Sequence, residues 1–198
     1  MKQATLLIVC IAVTSLLFAN SIASSNPQKK FDDSSFVRIT SMQGMLDQIT
    51  SVIGSDENFE LKEANVLNLE TKIYHKKKII LYNPAFIASL DNATKDKWSV
   101  ITLLAHEIGH QLNGHTSHKG GSKPKLELEA DEFAGYILYK LGATIQQSQN
   151  VMYFIARTEE SKTHPSREAR LTAIANGWKK AADSMSISSV TKSSSKRI

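Results

Sequence analysis

The chain has 198 residues, 41% of them hydrophobic, and a formal charge of +5, which fits one domain with short additional termini. A single cysteine, Cys10, excludes a disulfide framework and a cysteine-ligated metal site. The basic residues are scattered without interleaved aromatics, so nucleic acid is not an expected partner.

Residues 1–23 read as an export signal: Lys2, an apolar run from Ala4 to Ala19, then the small-x-small site Ser21-Ile22-Ala23. The expected destination is the periplasm or the medium. An uncleaved membrane anchor is the alternative, for which the apolar run is slightly short. Residues 24–35 form a polar linker, 36–182 the domain, and 183–198 a serine-rich tail too poor in apolar residues to build a core and expected to be disordered.

Within the domain, Val37, Ile39, Met42, Met45, Leu46, Ile49, Val52 and Ile53 recur near helical spacing over 36–53, with Gly54 as a stop. Val66–Tyr74 and Ile79–Tyr82 read as strands joined across Lys76-Lys77-Lys78, a solvated hairpin turn, and end at Asn83-Pro84. Asp96 caps a helix over Lys97–Leu112 that stops at Asn113-Gly114. After a Gly- and Lys-rich loop, helices are predicted over Leu126–Leu141, Ile145–Arg157 and Ser166–Ala182. The fold class is therefore mainly α with a small β-hairpin or sheet, an α+β domain.

The helix over 97–112 carries His106-Glu107-Ile108-Gly109-His110, an H-E-x-x-H sequence. Histidines four positions apart share one helix face, where both imidazoles reach one metal ion. Glu107 points to the side, placed to act on water as a general base. Chance would produce the pattern in a chain of this composition about 0.01 times, so coincidence explains it poorly. Its flanks, Trp98, Val100, Ile101, Leu103, Leu104, Ala105, Ile108 and Leu112, are those of a buried helix.

A catalytic zinc site takes three protein ligands and leaves a fourth position open. His115 and His118 fall at the wrong distance for the elongated metzincin motif and lie in a loop, which makes them weak candidates. Glu127 is the stronger one. Glu127 and Asp131 share a face of the next helix, so one can bind the ion and the other support a ligating histidine, while Glu129 points roughly 200° away.

H-E-I-G-H followed by E-L-E-A-D (127–131), and then Thr163-His164-Pro165-Ser166 with Arg167 and Arg170, resembles the gluzincin metallopeptidases related to the CAAX prenyl proteases and HtpX. Ala64-Asn65-Val66 and Ile79-Ile80-Leu81-Tyr82-Asn83 are similar to the hairpin before their zinc helix. The likeness spans about residues 36–182 and implies a zincin-like minimal core. It implies zinc on His106, His110 and Glu127, Glu107 as general base, and Asp131 orienting a ligand. It also implies His164 across the cleft, helping to hold the tetrahedral intermediate, with Arg167 and Arg170 as candidate contacts of a carboxylate in the substrate or transition state, or else of Asp131 or the surface. Sixteen residues (111–126) separate the histidine motif from Glu127, and no second apolar span follows, so recognition of prenylated or membrane-embedded substrates is not carried over.

The expected activity is zinc-dependent hydrolysis of peptide bonds in unfolded or misassembled polypeptides, with one zinc per chain. An extended substrate is expected on the edge of the 79–82 strand. The alternative is an exported chaperone or assembly factor that uses the same domain to bind polypeptides. Peripheral association with a membrane is a further candidate interaction.

Overall fold

The computed structural model describes residues 41–54, 58–117 and 123–194, all inside one compact unit, Phe31–Ile198. The expected export signal (1–23) and linker (24–35), and His118, lie outside the described residues. No helix among those described is long and apolar enough to cross a membrane.

The architecture is mainly helical with one three-stranded sheet. Helix α1 (Met42–Ile53) starts where the Ser41 hydroxyl accepts from the Gly44 N–H, and ends at Gly54 in the left-handed region, φ 66°. It buries Leu46 and Ile49. Strands β1 (Phe59–Glu63), β2 (Leu69–Tyr74) and β3 (Lys77–Tyr82) follow. β2 and β3 form the expected hairpin, antiparallel with Thr71 opposite Ile80. Its turn is His75-Lys76, both at positive φ, as a two-residue hairpin turn requires. Lys77 and Lys78 therefore belong to β3.

The sheet order β1-β3-β2, with β1 parallel to β3, corrects one expectation. The 79–82 strand is central and bonded on both sides, so it offers no edge to a substrate. β2 is the edge strand that borders the cleft described below.

Helix α2 (Pro84–Thr94) replaces what looked like the end of a hairpin. Asn83 accepts from the backbone N–H groups of Ala85 and Phe86, and Pro84 takes the first-turn position where no N–H is needed. Helix α3 (Lys97–Leu112) is capped by Asp96 through the Trp98 N–H. Most of α3 is buried, with Ile101, Leu104 and Ile108 at 1% exposure or less. Each such side chain contributes roughly 1.5–3 kcal/mol of burial, which anchors the motif helix at the centre of the core.

Helix α4 (Pro124–Lys140) crosses α3 at Gly109, where an added Cβ would lie 3.0 Å from the Phe133 ring and 3.3 Å from the Ala130 Cα. The glycine inside the motif thus lets the two helices approach closely. The predicted helix over 145–157 is two short ones, α5 (Ile145–Gln149) and α6 (Met152–Ile155). The chain tightens between them, with the N–H groups of Tyr153 and Phe154 reaching back three residues to Asn150 and Val151.

Helix α7 (Arg167–Ser194) packs tightly on α4, as the glycines at their contact show. A Cβ at Gly135 would sit 2.0 Å from the Ile174 carbonyl oxygen, and one at Gly177 1.8 Å from that of Glu132. The helix runs twelve residues (183–194) past the expected end at Ala182, correcting the reading of that stretch as a structureless tail. Serine is only a moderate helix former, but no Gly or Pro interrupts the segment, so the packed first half can propagate into it.

Candidate metal centre

α3 and α4 bring three ligand-type side chains to one point. His106 and His110 project from one face of α3, and Glu127 from the first turn of α4. The two Nε2 atoms are 3.0 Å apart. Glu127 sets Oε2 3.4 Å from the His106 Nε2 and Oε1 3.3 Å from that of His110. A tetrahedral ion with bonds of about 2.0–2.1 Å needs ligand atoms about 3.3–3.4 Å apart. The two histidine–glutamate distances, each to a different carboxylate oxygen, match that spacing and the histidine–histidine distance is somewhat shorter, so the group can hold a metal ion.

The surrounding hydrogen bonds show why a cation fits. The His106 Nδ1 is 2.9 Å from Asp131 Oδ1. A carboxylate only accepts, so Nδ1 carries the proton and Nε2 presents a lone pair. That lone pair faces a second imidazole nitrogen and a carboxylate in a buried setting, where acceptors repel unless a proton or cation lies among them.

Asp131 is itself held by Arg170, which donates from Nε to Oδ2 at 2.7 Å and from Nη2 to Oδ1 at 2.8 Å. Burial would raise the Asp131 pKa, but His106 and Arg170 outweigh it and hold the carboxyl below the ordinary range. For His106, burial pulls the pKa down while Asp131 and Glu127 raise it, leaving it at about 9 without metal.

That proton links metal binding to pH. An incoming ion must displace it, so affinity is expected to rise about tenfold per pH unit from neutrality to about 9 and then level off. Chelator competition across this range checks the slope, and a flat profile counts against proton displacement. In the metal-free protein the same proton stabilises the fold. Its contribution is complete below about 6.5, the unfolded histidine value, and is lost as pH rises through about 9.

The triad lines a cleft of about 450 Å³, together with Glu107, Asn68 to Thr71 of the β2 side, Ile155 and His164. Burial raises the Glu107 carboxyl above its usual range. His106 and His110 oppose that, Glu127 adds to it, and a hydrogen bond from the Thr71 backbone favours the anion. Gln111, the residue immediately after the motif, donates from Nε2 to the Ile79 carbonyl at 3.2 Å and to the Thr71 hydroxyl. These bonds tie the end of α3 to the sheet and keep β2 beside Glu107.

His164 reaches the same cleft as an exposed side chain, with Nδ1 2.9 Å from the Thr163 hydroxyl. Both arginines bond to the protein itself, Arg170 to Asp131 as one of the expected alternatives had it. Arg167 donates from Nε and Nη2 to the Ala156 carbonyl at 3.1 and 2.9 Å. Arg170 borders the cleft, but its guanidinium is buried against Asp131. Their resolved contacts hold the protein together: Arg167 fastens the start of α7 to the end of α6, and Arg170 fixes Asp131.

Two residues make contacts at the centre that sequence spacing did not identify. His115 lies in a 3-10 turn (His115–Ser117) after Gly114 at φ 74°. Its Nδ1 is 2.9 Å from that of His110, and its Nε2 is 3.0 Å from Glu129 Oε2. The signal available in the sequence was a histidine five positions after the motif, beyond a glycine able to turn the chain back.

No protein-family model, curated protein or solved structure matches the chain.

Proposed function

We propose that the chain is an exported zinc metalloendopeptidase of the gluzincin type, acting on unfolded or misassembled polypeptides. The observation that carries this reading is Glu107 in one cleft with a His106-His110-Glu127 group able to hold a metal ion. Two imidazoles and a carboxylate form a donor set that suits zinc, with room for a fourth ligand from the cleft. Export rests on the character of residues 1–23.

When bound, zinc supplies Lewis-acid polarisation of the scissile carbonyl and acidification of water. Glu107 takes a proton from the attacking water and passes it to the leaving amine. The Thr71 N–H steadies this carboxylate as an anion. Asp131 holds the His106 ring by its Nδ1–H. His164, on the cleft wall, donates to the carbonyl oxygen as negative charge develops there. An extended chain adds to the β2 edge of the sheet, so backbone hydrogen bonds provide most of the affinity and side-chain selection is weak.

One observation favours a second reading, a polypeptide-binding assembly factor with little hydrolysis. Leu67 is 93% exposed beside Asn68, and Tyr153 and Phe154 are 58% and 52% exposed beside Ile155, so apolar side chains stand next to two cleft-lining positions.

Elemental analysis and a casein-type cleavage assay on the purified protein test both readings. The peptidase predicts one zinc per chain, cleavage lost to a chelator and restored by zinc, and parallel loss of zinc and cleavage in Glu127→Ala. One zinc with polypeptide binding but no cleavage supports the second reading, and absence of stoichiometric metal rejects both.

A further inference from the structure

We propose that His115 and Glu129 form a positioning arm that sets the proton on His110 and thereby aims its Nε2 at the metal; this rests on the metal reading above. The bonding pattern gives the arm its direction. Glu129 Oε2, 3.0 Å from the His115 Nε2, is an acceptor, so that nitrogen carries the proton. In the neutral His115 ring the Nδ1 is then a lone pair, and the His110 Nδ1 at 2.9 Å donates to it. A proton on the His110 Nδ1 leaves its Nε2 as the free lone pair. The reverse arrangement would set the His115 Nε2 lone pair against a carboxylate and turn an N–H of His110 towards the triad.

The arm is built into the fold. The His115 side chain is 5% exposed, less than the 13% of His110. The two rings also pack edge to face, with centroids 5.1 Å apart. The result matches the other ligand: His106 is backed by Asp131 directly, and His110 by Glu129 through His115. One short stretch of α4 thus provides the carboxylate ligand, Glu127, and both supporting carboxylates.

Partners of this kind tune affinity without touching the ion, by about 10–100-fold. His115→Ala is therefore expected to weaken zinc binding by about that factor in chelator competition, at an unchanged stoichiometry of one. It should also shift the visible spectrum of the cobalt-substituted protein, and added imidazole should partly restore affinity. Glu129→Ala, at a position 42% exposed on its side chain, tests the arm separately should His115→Ala fold poorly, with a smaller loss in the same direction. Because Glu129 acts through His115, the double variant should lose no more than His115→Ala alone.

Three results overturn the proposal. Unchanged zinc affinity and cobalt spectrum in both single variants, with wild type binding one zinc, reject the arm and leave the metal reading intact. Loss of the stoichiometric ion in His115→Ala with additive losses in the double variant makes His115 a ligand. A wild type that binds no zinc rejects both the arm and the reading beneath it.

Discussion

Glu107→Gln is expected to lower hydrolysis of an unfolded polypeptide by about 10²–10⁴-fold while leaving one zinc bound. The amide has the shape of the carboxylate but cannot take a proton from water, so the variant removes the base and little else. The three groups that hold the ion, His106, His110 and Glu127, are untouched. The amide oxygen can still accept from the Thr71 backbone, as the carboxylate does, so the approach of β2 to α3 is kept. Zinc content, thermal stability and cleavage measured on one preparation separate the possibilities. Full zinc with lost cleavage assigns Glu107 to proton transfer. Unchanged cleavage rejects the mechanism, whatever the metal content.

The variant also distinguishes the peptidase from the assembly factor. If Leu67, Tyr153 and Phe154 grip polypeptides in a protein that does not need hydrolysis, Glu107→Gln leaves that binding and its downstream effect intact. If cleavage is the function, the same variant retains substrate and accumulates it on the protein.

Much of the centre could be read from the chain because it is written within single helices. His106 and His110 at one spacing, and Glu127 and Asp131 at the same spacing, follow directly from helical geometry. The caps at Asp96 and Gly54 follow from the chemistry of orphan N–H and carbonyl groups. The parts not foreseen depend on contacts between elements. Pairing of β1 with β3 is parallel and links residues about twenty apart, with no turn signature to announce it. Helix α2 was hidden because Asn83-Pro84 serves equally as a turn and as a cap with a first helical residue. For Arg170 the chain offers Asp131 as one partner among several, and only the packing of α7 on α4 selects it across 39 positions; Glu129 meets His115 across a loop. Helical projection turned Glu129 away from Glu127, correctly, but it could not show that another histidine waited on that side.

Asp131→Ala is expected to destabilise the fold by about 3–5 kcal/mol and to lower zinc affinity by about 10–100-fold. Two buried groups lose their acceptor at once: the Arg170 guanidinium, 7% exposed, and the His106 Nδ1–H. The first loss governs stability, because a buried cation left with only the longer contact to Glu127, 3.8 Å away, is costly. The second governs metal binding, because a ring without its Nδ1 partner no longer presents Nε2 in one fixed direction. The two effects separate in the double variant Asp131→Ala/Arg170→Leu. Removing the orphaned cation with its partner should restore much of the thermal stability, whereas zinc affinity stays low because His106 still lacks its acceptor. Denaturant unfolding of the metal-free proteins, paired with chelator competition, reads each quantity independently. Recovery of both together in the double variant would mean that Asp131 acts on the metal only by keeping the protein folded, and would remove it from the description of the centre.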